Sequence, residues 1–218
     1  MVVESIIPRI YERVLLRSIG MDQNAKSILI VIVEDDLLSS EGLSKLVSFI
    51  KWSIDLGLEI VNMYVDLIDD AEIAEVICPK LSKEILGTLS GTKVDIFIHT
   101  RHGNDCRERE DSVMSINISI GLGGRAELTE AFSKIMKSVE SGEIEPDDID
   151  AGMIESNLIF KSEPELIIRS GGRLTDFLIW QSIYSELYFT EVNWLNFRKL
   201  DLLRAIREYQ NRQRRFGK

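Results

Sequence analysis

Cysteine is scarce in this chain. Cys78 and Cys106 are the only two in 218 residues, and they lack the paired spacing of a zinc site or a disulfide framework. Both are read as ordinary reduced thiols. Histidine is equally scarce, with His99 and His102 in one polar stretch and no third ligand near them in sequence. That pattern favours surface-loop residues over a metal centre. No apolar run reaches the roughly 18 residues of a membrane span. Glu4, Arg9, Glu12 and Arg13 interrupt the N-terminus where a signal peptide would be uninterrupted. A cytoplasmic protein with at most peripheral membrane contact is expected. Positive charge is in deficit, at a formal net charge of -10, which argues against the broad basic surface of a general nucleic-acid binder. Internal repeats and low-complexity segments are absent as well.

Apolar residues make up 44% of the chain, enough for one α/β domain, residues 1–218, with a sizeable core. Ile6 to Ile19 has the spacing of an amphipathic helix with Gly20 as its stop. Ile28 to Val33 is an unbroken apolar run, as in a strand buried on both faces of a parallel sheet. It ends in acid, at Glu34, Asp35 and Asp36. A helix follows from about Ser40 to Gly57, then a strand over Glu59 to Val65 and a helix over Ala71 to Leu86. Val94 to Ile98 predicts a third strand and His99 to Asp111 a charged loop. Ser115 to Ile120 predicts a fourth strand, leading through Gly121-Leu122-Gly123-Gly124-Arg125 into another helix. Asp147 reads as part of a new helix start. Strands alternating with helices predict a mainly parallel sheet wrapped by helices, with ligands at the carboxyl ends of its strands.

Chemistry concentrates after one of these strands. Leu166-Ile167-Ile168 is a short apolar run that opens into Arg169-Ser170-Gly171-Gly172-Arg173. Leu174, Leu178, Trp180, Ile183 and Leu187 then recur at helical spacing. Two glycines let backbone approach a ligand, a helix start offers unpaired N–H groups, and two guanidiniums can grip a phosphate in bidentate fashion. An anion site, most simply for phosphate, is the physical reading. The last turn of the chain repeats the theme: a helix from Arg198 to Lys218 carries Arg207, Arg212, Arg214 and Arg215 towards its end, which suggests an anion-binding arm.

Arg169-Ser170-Gly171-Gly172 followed by Arg173-Leu174-Thr175-Asp176-Phe177, then Trp180-Gln181, Glu186-Leu187-Tyr188-Phe189, Trp194 and Arg214-Arg215-Phe216-Gly217, resembles the cis-prenyltransferases, the undecaprenyl diphosphate synthase family. The resemblance is close over about the last hundred residues and looser before them. It implies condensation of isopentenyl diphosphate with an allylic diphosphate, forming a cis double bond and releasing pyrophosphate, on a mainly parallel sheet in a dimer. It also implies that Arg169, Gly171, Gly172, Arg173 and Thr175 hold isopentenyl diphosphate and that Glu186 helps bind magnesium. Arg215-Phe216-Gly217 would reach across the dimer into the partner's site.

The departures fall mostly on the other half of the family site. Where the family has Asp-Gly-Asn-x-Arg-Trp, this chain has Glu34-Asp35-Asp36-Leu37-Leu38-Ser39. Either Glu34 or, with a one-residue slip, Asp35 stands at the catalytic, magnesium-binding aspartate. The phosphate loop is replaced by like charge, which repels a diphosphate. Phe-Ser-x-Glu-Asn-Trp becomes Asp66-Leu67-Ile68-Asp69-Asp70, and an Asn-Tyr becomes Gly121-Leu122. The arginine turn itself is two residues shorter than usual. Two readings follow: a catalyst or synthase subunit, and a non-catalytic partner that completes the active site of a catalytic cis-prenyltransferase. A phosphate sensor is a third. The dimer is a homodimer in one case and a heterodimer in the other.

Overall fold

The computed structural model describes residues 2–19, 25–67, 71–101, 103–161, 163–170 and 180–212. Its centre is a seven-stranded sheet in the order β4-β3-β5-β2-β1-β6-β7. The strands are β1 (Ser27–Val33), β2 (Ile60–Asp66), β3 (Val94–Thr100), β4 (Gly103–Arg107), β5 (Met114–Ile120), β6 (Leu166–Ser170) and β7 (Glu186–Thr190). Every pairing is parallel except β3 with β4. The helices are α1 (Val2–Ser18), α2 (Glu34–Leu38), α3 (Ser40–Asp55), α4 (Ala71–Thr88), α5 (Gly124–Glu140), α6 (Ala151–Asn157) and α7 (Lys199–Asn211). Among the described residues, no helix is long and apolar enough to cross a membrane.

The unbroken apolar runs give central strands with cores on both sides. Ile28, Ile30 and Ile32 point into the larger core with Phe49, Ile50, Leu81, Leu203 and Ile206, so α3, α4 and α7 cover that face. Leu29 and Val31 point the other way, into a small core with Tyr64, Phe160 and Ile167. The charge-dense stretch His99 to Asp111 is not a loop throughout. His99 lies in β3, and residues 103–107 return antiparallel as β4, an exposed edge strand. A run without apolar alternation carries no strand signal, and here pairing to β3 supplies the order. Asp147 falls in a 3-10 turn, while Asp150 caps α6 by accepting from the Met153 N–H. Leu187 belongs to β7 rather than to a helix.

Close packing fixes the entry to α3. A Cβ on Gly42 would sit 1.7 Å from the Asp36 carbonyl oxygen, so α2 and α3 meet backbone to backbone at that glycine. Trp194 seals the junction. It is fully buried, edge-on to Phe49 at 5.4 Å, and donates its indole N–H to the Gly42 carbonyl at 3.1 Å. Gly42→Ala should destabilise the fold by roughly 3 kcal/mol or more, because backbone rather than a flexible side chain must shift. Chemical denaturation showing less than about 1 kcal/mol lost would contradict that packing.

Candidate functional site

The sheet order creates one place where neighbouring parallel strands send their chains in opposite directions. β1 leads through α2 and α3 to β2 on one side, and β6 leads to β7 on the other. Ligands in open α/β sheets collect at the carboxyl ends of strands at such a switch point. Here β1 ends in the acidic helix α2, and β6 ends in Arg169-Ser170. Val31 is paired with Arg169 on one side and Tyr64 on the other, and Val33 is paired with Asp66. Arg169 is only 4% exposed. Burial pulls its guanidinium pKa down, while the negative charge of Asp66, and then Tyr64, pushes it up. A buried cation at the mouth of this crevice is poised to receive an anion.

The acidic residues divide. Asp35 is exposed at the start of α2, and the Glu34 side chain lies outside the described residues. Asp36 turns into structure: its carboxylate accepts the Trp194 backbone N–H at 3.3 Å. Burial raises its pKa, with that hydrogen bond opposing and Asp35 adding to the rise. Sequence reading treated Asp36 as a free charge facing a diphosphate, and the structure gives it a partner instead. Gly171, Gly172, Arg173 and Thr175, and likewise Arg215, Phe216 and Gly217, lie outside the described residues.

Glu186 is not brought to this place within the chain. It opens β7, level with Leu166, at the amino end of the strand. The carboxyl end of β1 is five residues further along, about 16 Å at strand rise. Its carboxylate is held by Arg212 at 3.0 Å, and Arg212 also donates to the Leu187 carbonyl at 2.7 Å. One arginine of the basic arm is therefore spent on β7. His99 is partly enclosed, with Nδ1 3.3 Å from the Asn104 amide oxygen and its ring edge-on to Phe160 at 5.8 Å. Burial lowers its pKa. His102 lies outside the described residues. Among the described residues, no three Asp, Glu, His or Cys side chains stand together as a metal cluster.

The family model for putative undecaprenyl diphosphate synthase matches residues 65–217. The chain belongs to that family. The match begins at Val65, so the acidic end of β1 lies outside it while β6 and the arginine turn lie within. A tritrans,polycis-undecaprenyl-diphosphate synthase (geranylgeranyl-diphosphate specific) of Methanocaldococcus jannaschii is 32% identical, over 96% of this chain and 89% of that protein. Isoprenyl transferase 2 of Tropheryma whipplei is 31% identical, over 99% of this chain and 96% of its own length. Lavandulyl diphosphate synthase from Lavandula x intermedia, solved with dimethylallyl diphosphate, shares the fold with a TM-score of 0.72 at 21% identity, over 90% of this chain and 100% of that one. The family is one of prenyltransferases, enzymes that transfer alkyl groups other than methyl.

One feature of this undecaprenyl diphosphate synthase relative escaped sequence reading. Glu127, in the first turn of α5, is 3% exposed and has only neutral donors around it. A glutamate beside a glycine turn reads as a helix-start residue, and nothing in its spacing marks it as buried. Burial raises its carboxyl pKa above the ordinary 4.5, against hydrogen bonds from the Phe160 N–H, Gln181 and the Ile159 N–H that lower it. The fold then holds the proton more tightly than the unfolded chain. This contribution to stability is present below the ordinary value and is lost as pH rises through the raised one. Glu127→Gln should flatten the pH dependence of unfolding free energy above pH 4.5. Identical slopes for wild type and variant, measured by denaturant unfolding at stepped pH, would contradict it.

Proposed function

We propose that this chain condenses isopentenyl diphosphate with an allylic diphosphate to give a cis-polyprenyl diphosphate, as the catalyst or as a subunit of a dimeric synthase. The observation that carries the reading is Arg169: a buried guanidinium at the end of β6, at the switch point, within the region that matches the family. Relatives aligned over nearly the whole chain bear the names of polyprenyl and isoprenyl transferases. Arg169, with Arg173, Thr175 and the Gly171-Gly172 backbone, holds the diphosphate of isopentenyl diphosphate. Glu34 or Asp35, on the neighbouring strand end, supplies hard oxygen donors of the kind magnesium takes. Glu186, paired with Arg212 at the opposite end of the sheet, is left out of that set. Magnesium, when bound, offsets charge on the pyrophosphate as the allylic C–O bond breaks. Arg169 does the same from the protein side, a fixed cation in a site partly withdrawn from water. The new C–C bond forms as pyrophosphate leaves and a proton is lost.

A second reading, an accessory subunit that completes a partner through Arg215-Phe216-Gly217, draws on α2. β1 passes into a helix of acidic residues with no intervening glycine loop. Both readings call for a dimer, and β7 offers a surface for one. Leu187 and Phe189 project from the face opposite the larger core and are 40% and 57% exposed, beside Ile183 at 68% and Tyr184 at 70%. Tyr188 points the other way and packs on the larger core, and Trp180 is half-buried with its indole donating to Glu155 at 3.2 Å. Light scattering at micromolar concentration should give the dimer mass. A monomer, with no partner chain present, would exclude a homodimer. The function itself is tested by incubating purified chain, alone and with a catalytic relative, with labelled isopentenyl diphosphate, an allylic diphosphate and magnesium. No polyprenyl product in either arrangement would contradict it.

A further inference from the structure

The buried pair Glu127 and Gln181 joins three parts of the chain next to the proposed diphosphate site. Glu127 Oε1 accepts the Ile159 and Phe160 backbone N–H groups at 2.8 and 3.0 Å. Gln181, 4% exposed, donates to both carboxyl oxygens at 3.2 Å and to the Phe160 carbonyl at 2.8 Å. Its own Oε1 is buried with no hydrogen-bond partner among the described residues. A carboxyl withdrawn from water with only neutral donors, beside a half-satisfied amide, is a costly way to fill space. An apolar pair of the same volume would stabilise the core at least as well.

What the pair does is fix geometry at two points that bear on Arg169. Phe160, gripped through its backbone by both side chains, packs with Val31 and Ile167, and Val31 is the strand partner of Arg169. Gln181 also anchors the chain where it emerges from the segment that begins at the arginine turn. β6 holds the near end of that segment and the Glu127–Gln181 junction holds the far end.

We propose that Glu127 and Gln181 are positioning residues for diphosphate binding, fixing the floor beneath Arg169 and the far anchor of the turn. The inference rests on the diphosphate reading of the site. Its test is pyrophosphate binding with magnesium by calorimetry, well below the melting temperature of each variant. Gln181→Met keeps bulk and removes both donor contacts, and its dissociation constant should rise about tenfold through lost pre-organisation. Glu127→Gln keeps an oxygen for the two backbone amides and turns an amide towards Gln181 Oε1, so its affinity should stay within about twofold of wild type. A folded Gln181→Met variant with wild-type affinity overturns the positioning role. Should Gln181→Met not fold, Gln181→Asn, which keeps the amide but falls short of Glu127, reads the same quantity. No binding by the wild-type chain is a different outcome: it overturns the diphosphate reading itself, and the inference with it.

Discussion

Arg169→Ala should weaken binding of isopentenyl diphosphate, or of plain pyrophosphate, by about ten- to a hundredfold, the loss of a charge-assisted contact worth roughly 1.5 to 3 kcal/mol. The upper half of that range is favoured by position. Arg169 is nearly enclosed, so solvent screens its field poorly, and its removal leaves Asp66 facing the incoming diphosphate without an intervening cation. Arg169→Lys should recover only part of the affinity, since a point charge cannot present two parallel N–H groups to one phosphate. Arg173→Ala is expected to act in the same direction. Calorimetry with magnesium measures all three, and unchanged affinity in both alanine variants would remove the arginine turn from the site.

The second large effect concerns the allylic substrate. The chain enters α2 directly from β1, and Asp35 stands exposed at its start where the family has a glycine. Like charges a few ångströms apart cost on the order of kilocalories even with partial screening, so magnesium must bridge them for a diphosphate to stay. An allylic diphosphate should therefore bind at least about tenfold more weakly than isopentenyl diphosphate, a difference of about 1.4 kcal/mol. Turnover by this chain alone should be slow or absent. It should rise steeply when a relative with an intact Asp-Gly-Asn signature is added, and that rise should depend on Arg215 and Gly217 of this chain. Because Asp36 is drawn to the Trp194 N–H, Asp35→Gly should recover more allylic binding than Asp36→Gly, and Asp36→Gly should cost stability. Equal affinity for the two diphosphates in the wild type would contradict the charge argument.

The sheet and its helices were legible because their residues obey local rules. Ile28 to Val33 can only be a strand covered on both sides, and Leu43, Leu46, Ile50 and Ile54 can only line one face of a helix. The end of β6 was legible for a different reason: glycines and arginines at a strand end carry chemistry in their identity. What stayed hidden depends on contacts far apart in sequence. β4 is ordered by β3, not by its own residues. Asp36 finds Trp194 and Glu127 finds Gln181 at separations of 158 and 54 residues. Glu186 was grouped with Glu34 and Asp35 by resemblance, whereas parallel register puts it at the other end of the sheet. Leu187 continued a helical spacing by coincidence, because a period-2 strand and a 3.6-period helix share short stretches of apolar positions.

The most direct measurement is transfer of labelled isopentenyl diphosphate into polyprenyl product by this chain together with a catalytic relative carrying an intact Asp-Gly-Asn signature, comparing wild type with Arg169→Ala in this chain only. Robust incorporation with the wild type and a loss of about ten- to a hundredfold at subsaturating isopentenyl diphosphate with the variant is the expected result. Incorporation that is unaffected by Arg169→Ala would contradict a diphosphate site at the end of β6.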